Sequence, residues 1–456
     1  MLNFLLSDAA AWTGGALRGA DGDVLTVSTD SRKIGPGCLF IPLAGEKFDG
    51  HDFIGAAIAN GASAVLTHRP EETYPVPSIL VEDTRQALLD RAGGYRDRFD
   101  CPVIGVTGSV GKTTTKEMIW SVLSQRFDTL KTEGNLNNTV GMPLTALRLE
   151  PTTDAAVFEM GMSNFGEIAA MAACGKPNLA VITNIGTSHI EFLGSREGIC
   201  RAKMEILEGL QARRGLAILC GDEPLLWARH DNLPCRAVWF GRENEECDVR
   251  ATDIVCTNEG VTFTLLWPEG ETPCRINIPG IHNVTNALAA AACGWVLGLD
   301  GEEIAAGLDA FRPVGHRQKL FEQNGVTIYE DCYNASPDSM EAALAVLRDL
   351  PNGRKLAVLG GMGELGDYAI EGHRRAGRAV PGAADALYLY GENSEYIGQG
   401  AAEAGLAKEK IYRFDDHESL AAALRADARP GDALLFKGSR VMKMERALGL
   451  FLGEEV

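Results

Sequence analysis

The sequence is short of several things, and each absence closes a route. No apolar stretch approaches the roughly 20 residues that a membrane-spanning helix needs. The opening residues, MLNFLLSDAAAW, have no basic start and carry Asp8 early, so no secretory leader is expected. There is no internal repeat and no low-complexity tract. Positive charge is scarce: 43 Lys and Arg against 62 Asp and Glu leave a net charge of −19. That balance argues against a nucleic-acid-binding surface. It also requires local cations or metal ions wherever an anionic ligand binds. The 11 cysteines show no C-x-x-C pair or other metal-ligand spacing. They read as small core residues with reduced thiols, and a cytoplasmic protein is expected. No Asn-Lys-x-Asp segment is present, which a guanine-reading switch would be expected to carry.

What is there suits a large globular chain. A length of 456 residues exceeds one ordinary core and suggests about three domains at roughly 150 residues each. Residues 1–100 contain strand-like runs at 24–28, 39–42, 64–67 and 78–81. Helices are expected at 53–60 and 84–99, and 101–102 reads as a linker. From 103 onward short apolar strands (103–107, 155–160, 179–185, 216–220) alternate with helical sequence, which indicates a parallel sheet covered on both faces. A hairpin at 249–256 and 261–267 interrupts that pattern, and a helix at 283–297 resumes it. A second boundary falls at 312–313, after which strands and helices alternate again to the end. The expected fold class is α/β with three domains. They are a smaller N-terminal α/β domain (1–100), a central phosphate-loop domain with a mostly parallel sheet (101–312), and a doubly wound, Rossmann-like C-terminal domain (313–456).

The most informative stretch is VIGVTGSVGKTTTKE, residues 103–117. A buried strand runs into the turn Gly108, Ser109, Val110, Gly111 and then into a helix beginning Lys112, Thr113, Thr114. Glycines let backbone N–H groups approach phosphate oxygens, and the helix N-terminus adds positive potential. Lys112 would reach the outer phosphates, and the Thr113 hydroxyl would ligate Mg²⁺. The common pattern would place glycine at 106. Val106 stands there, so this is a shortened loop.

Other segments fall at strand ends, where open α/β sheets bind ligands. Glu159 ends a strand and could meet a Mg²⁺ held by Thr113; the bland alternative is a solvated carboxylate. His189, in NIGTSH, is either a metal or phosphate ligand or an ordinary structural histidine. Lys203, in CRAKMEI, reads from its local sequence as an exposed helical lysine. The loop GNLNNTVGMP brings Asn135, Asn137 and Asn138 together, dense in amide donors and acceptors; it suits a polar substrate or simply a turn. Asn286 is expected in the first turn of its helix, facing either a ligand base or solvent. Asp331, Tyr333 and Asn334 end a strand of the third domain, and Ser336-Pro337-Asp338 is good helix-start chemistry.

In this order, the motifs resemble those of the Mur ligase family, ATP-dependent amide ligases of peptidoglycan precursor synthesis. The shortened loop TGSVGKTTTKE is similar to that family's version. The set GNLNNTVGMP, EMG, NIGTSH, AKMEI, HNVTNALAA and DCYNASPDSM is most similar to the branch that adds a dipeptide. The N-terminal TDSRKIGPGCLFIPLAGEKFDGHDF resembles a UDP-binding domain. The DNPR sequence of the diaminopimelate-adding branch is absent. Two positions depart from the family pattern: Gly361, where Asp is frequent, and Ser336, in place of Asn.

The resemblance implies ATP and Mg²⁺ as cofactors and UDP-MurNAc-tripeptide and D-alanyl-D-alanine as substrates; a monomer is expected. It implies that Gly108 to Thr114 bind ATP phosphates, with Thr113 and Glu159 at one Mg²⁺ and His189 at a second. It makes Lys203 a carbamylated, carboxylate-like metal partner, against the local reading. It sets Asn286 at adenine, Arg317 near the phosphates, and Asp331, Tyr333 and Asn334 along the ribose and dipeptide side. Ser31, Arg32, Asp49 and His51 fall in the uridine region. The reaction implied is phosphorylation of the tripeptide carboxylate, then attack by the dipeptide amine. The rivals are another ligase of the same family and a non-catalytic nucleotide-binding regulator.

Overall fold

The computed structural model describes residues 2–45, 48–211, 215–351 and 353–454. Glu46 and Lys47 of the N-terminal motif lie outside them. The fold is α/β, and among the described residues its central sheet has nine strands. Seven of them are parallel neighbours, in the spatial order Thr129–Lys131, Ala155–Glu159, Val103–Thr107, Leu179–Ile182, Leu216–Cys220, Arg236–Gly241, Val249–Cys256. Val103–Thr107 and Ala155–Glu159 are buried at every residue, as strands covered on both faces must be.

The sequence-expected hairpin does not interrupt this sheet. Val249–Cys256 pairs in parallel with Arg236–Gly241 and antiparallel with Val261–Trp267, and Gly270–Ile276 adds an edge strand. The strand expected over 179–185 stops at Ile182. Residues 183–189 leave the ladder there and form the loop that carries His189.

Register fixes the site. Glu159 pairs with Val106, and Ile182 pairs with Thr107. The phosphate loop, Glu159 and the NIGTSH turn therefore leave the sheet side by side, at its carboxyl edge.

The C-terminal sheet has the order Lys319–Gln323, Val326–Asp331, Ala433–Lys437, Lys355–Gly360, Ala386–Tyr390, Ile411–Phe414. Only the first pairing is antiparallel. Asp331 and Lys437 are register partners at its carboxyl edge. A smaller mixed sheet lies in the N-terminal part, with Cys38–Phe40 and Ala62–Thr67 among its strands.

The apolar core is divided unequally. One continuous cluster runs from Phe4 through the central sheet to Phe311, joined where the helix Thr84–Arg96 packs on the helix Glu167–Gly175. The C-terminal sheet has its own cores, one on each face. The N-terminal and central parts are thus welded by burial. The C-terminal part meets them through polar ties such as Thr187 to Asp338 and Gln318 to Thr114, and through Ile190 packed on its core, without sharing one continuous core, the kind of interface across which domains move.

Candidate active site

A cavity of about 770 Å³ opens where the carboxyl edges of the central and C-terminal sheets face each other. Residues from all three parts line it, the N-terminal part contributing Arg85. Its floor is the phosphate loop. Gly111 has φ 82°, and a Cβ there would lie 2.6 Å from Asn286 Oδ1, so only glycine fits. Asn184 holds the loop from the side: its Oδ1 accepts from Val110 N at 3.0 Å, and its Nδ2 donates to Val110 O at 2.9 Å. Thr183 Oγ1 also donates to Val110 O, at 2.8 Å. This clamp went unread in the sequence, although NIGTSH contains Asn184.

Lys112 is half-buried and folds over the loop, with Nζ donating to Gly108 O at 2.7 Å. Burial pushes its pKa down; the Glu159 carboxylate pulls it back up, and the Arg317 guanidinium adds to the downward shift. Thr113 Oγ1 donates to Glu159 Oε1 at 3.1 Å, and Asn137 Nδ2 donates to the same oxygen at 2.7 Å. Glu159 is 1% exposed, and its other oxygen, Oε2, has no hydrogen bond. The nearest cation to Oε2 is Lys116 Nζ, 3.7 Å away. A buried carboxylate oxygen without a donor is costly. One divalent cation beside Thr113 would satisfy it, so the donor set fits Mg²⁺.

His189 has φ 63°, in the left-handed region, and stands at the mouth of the NIGTSH turn. Its Nδ1 lies 2.6 Å from Glu364 Oε2 of the C-terminal part.

Lys203 contradicts its local sequence reading. It is 1% exposed, on the helix Arg196–Met204, and has no hydrogen-bond or ion-pair partner among the described residues. Burial drives its pKa well down, and the Lys112 cation adds to that. It does not line the cavity.

Asn286 is likewise corrected. The helix runs His282–Val296, which puts Asn286 in the second turn. There its Oδ1 accepts from Thr115 Oγ1 at 3.1 Å and its Nδ2 donates to Asn283 at 3.1 Å. It borders the cavity with its amide already engaged.

Across the cavity, the Arg317 guanidinium stacks 3.7 Å from the Tyr333 ring centroid. Lys437 Nζ pairs with Asp331 and also donates to Asn334 O at 3.1 Å. Gln318 was not foreseen, and it links the parts. Its amide donates to Thr114 Oγ1 at 3.3 Å, its Oε1 accepts from Asn283 at 2.7 Å, and its backbone N donates to Asp331 at 3.3 Å. Asp338 was read only as helix-start chemistry, yet it reaches the central sheet's NIGTSH turn. Ser336 does cap its helix, accepting from Ser339 N at 3.4 Å. Gly361 leaves no room for a side chain, since a Cβ would fall 2.0 Å from Glu392 O.

The asparagine loop divides by role. Asn137 reaches Glu159. Asn138 lines the cavity, and its Oδ1 accepts from Gly141 N at 2.8 Å at the start of the helix Gly141–Ala146. Asn135 is exposed and does not line it. Ser31, Arg32, Asp49 and His51 lie in the N-terminal part, away from the cavity. Ser31 O accepts from Asn60 Nδ2 at 2.8 Å, and Arg32 is held by Asp30. Asp49 accepts from the fully buried His51 ring and from Arg69. With His68, these two have metal-ligand spacing. Both Asp49 oxygens are already taken, however, so the group is satisfied internally.

Models of known families match the sequence in three segments. The Mur ligase middle domain matches residues 106–294, the Mur ligase glutamate ligase domain residues 316–440, and the Mur ligase family catalytic domain residues 24–96. The UDP-N-acetylmuramoyl-tripeptide–D-alanyl-D-alanine ligase of Bacillus subtilis is 42% identical over 92% of this chain and 91% of its own. The crystal structure of MurF from Acinetobacter baumannii superposes with a TM-score of 0.92 at 32% identity, covering 100% of both chains. MurF from Thermotoga maritima, solved in complex with ADP, gives a TM-score of 0.84 at 30% identity over 94% of this chain and 97% of its own.

Proposed function

Since the chain belongs to the Mur ligase family, we propose that it joins D-alanyl-D-alanine to UDP-MurNAc-tripeptide, with ATP cleaved to ADP and phosphate. A tripeptide carboxylate oxygen attacks the γ-phosphorus, and the bond to the β-phosphate oxygen breaks. The acyl phosphate then accepts the dipeptide's amine at its carbonyl carbon. The amine loses a proton, phosphate leaves, and an amide remains.

The observation that carries this reading is the buried Glu159 carboxylate, whose Oε1 accepts from Thr113 while its Oε2 has no donor, in a cavity that all three parts line. Loop N–H groups not used by Asn184 would hold the phosphates. Lys112 and Arg317 offset charge as the γ-phosphoryl group moves. One Mg²⁺ held by Thr113 and Glu159 and a second held by His189 would neutralise phosphate charge and polarise the γ-phosphoryl group. The neutral amine that burial favours at Lys203 is the form that adds CO₂. Its carbamate would place a negative group near Lys112 instead of a second cation. Asn286 must exchange its bond to Asn283 before it can read a base. Asp331, Tyr333 and Asn334 form the wall for ribose and dipeptide.

Closure of the C-terminal part over the cavity keeps water from the acyl phosphate. One chain completes the cavity, which suits a monomer. No helix among the described residues is long and apolar enough to cross a membrane. All 11 cysteines are free thiols, which suits a reducing cytoplasm.

The test is phosphate release. It should require ATP, the UDP-tripeptide and D-alanyl-D-alanine together, and ¹⁸O from the tripeptide carboxylate should appear in phosphate and not in AMP. Substantial turnover without the dipeptide would count against the assignment.

A further inference from the structure

Glu364 lies in the turn that follows the C-terminal strand Lys355–Gly360, outside every motif read for function. It crosses to the central part. Its Oε2 stands 2.6 Å from His189 Nδ1, and its carbonyl oxygen accepts from Glu191 N at 3.4 Å. Both members of the pair have left-handed backbone, φ 63° at His189 and 61° at Glu364. Non-glycine residues keep that conformation only where their surroundings impose it, and such positions gather at functional sites.

The turn is braced from behind. The buried His373 accepts the Met362 N–H on Nε2 at 2.8 Å and holds Ala369 O with Nδ1 at 2.7 Å. Glu364 is therefore presented by a fixed scaffold. The carboxylate sits close to Nδ1 but off the line of a made hydrogen bond. A small turn of the imidazole would close it.

An imidazole ligates a cation through one nitrogen, and the bond made by the other nitrogen fixes the tautomer and the ring plane. A carboxylate on Nδ1–H leaves the Nε2 lone pair free. We propose that Glu364 is a positioning residue that acts through His189, holding Nδ1–H so that Nε2 faces the second divalent cation of the site. This rests on the reading that His189 holds that cation. The carboxylate comes from the C-terminal part and the imidazole from the central part. Cation affinity and domain closure are then one linked equilibrium, each strengthening the other by the same factor. A plain ion pair between Glu364 and a protonated His189 has the opposite consequence. It would compete with the cation, and its removal would leave affinity unchanged or raise it.

The experiment uses the full chain with β,γ-methylene-ATP. Mn²⁺ binding is followed by electron paramagnetic resonance, and closure by energy transfer between dyes on the central and C-terminal parts. E364Q should weaken one Mn²⁺ site about 10–100-fold. Its closure midpoint should move to higher Mn²⁺ by the same factor, and E364D should recover part of the loss. H189A should weaken the same site, and the double variant should lose no more than H189A alone. An E364Q affinity within twofold of the parent, or losses that multiply in the double variant, would overturn the inference. H189A with parental Mn²⁺ affinity would instead overturn the reading of His189 beneath it. Thermal melts of each variant check that the fold is kept.

Discussion

Thr187 and Asp338 lie 151 residues apart, yet the Thr187 backbone N–H and its hydroxyl both donate to the same Asp338 oxygen at 2.8 Å. Arg375 holds the other Asp338 oxygen at 3.0 Å. This is a direct tie between the central and C-terminal sheets. Asp338→Ala should weaken closure by about 2 kcal/mol, as expected for lost bonds to a charged acceptor. That is roughly a thirtyfold shift toward open forms. Small-angle scattering of the free protein should show a larger radius for the variant, and saturating ATP should narrow the difference.

Lys112→Met should lower kcat about 10²–10³-fold, the size of loss that follows removal of one preorganised group from a developing charge. The melting temperature should hold or rise, because burial already disfavours this cation. Steady-state kinetics and a thermal melt on one preparation read both. A large loss of stability would mean that Lys112 serves the fold.

Lys203→Ala should abolish most ligation, and short carboxylates such as formate or acetate should restore part of it. Full activity in the unrescued variant would remove the carbamate from the mechanism. Because the folded pKa is depressed, an unmodified Lys203 binds fewer protons folded than unfolded. Stability of CO₂-free protein should therefore rise with pH up to about 10.4, the ordinary lysine value. Lys203→Met should flatten that slope, measured by urea midpoints in degassed buffer.

His282 and His373 are both shifted down by burial. His373 accepts the Met362 N–H on Nε2, a bond that only the neutral ring can make. The unfolded chain takes up these protons near pH 6.5, and the folded chain does so lower. Stability should thus be full above that value and fall as pH drops below it. His373→Gln should reduce the drop between pH 7 and 5.5 in denaturant titrations.

Much of this site was legible because it is local. The loop at 108–113 and Glu159 sit at the ends of apolar strands, and register aligns them with Ile182, the strand end from which the loop to His189 departs. What escaped was long-range or fully buried. Lys203 does fall on the buried stripe of its helix, three and four residues after Cys200 and Ile199, but a charged side chain there reads locally as exposed. Asn184 acts on Val110 at 74 residues, Asp338 on Thr187 at 151 and Gln318 on Thr114 at 204, Glu364 acts across a domain boundary, and composition carries no trace of such pairings. Short strands such as Thr129–Lys131 were missed because three residues show no period. The hairpin was seen, but its attachment to the sheet depends on Arg236–Gly241, which begins with a charged, exposed residue.

Gln318 has one more consequence. It follows closely on the chain's passage into the C-terminal part, and it is bonded to Thr114 on the loop helix, to Asn283 and to Asp331. A surface connector usually tolerates inserted residues at little cost. This one should not: a residue added between 313 and 318 would displace an amide that touches the nucleotide cradle. Length at this junction is thus under the same constraint as the catalytic side chains, and chimaeras that exchange C-terminal parts between relatives should be cut upstream of it.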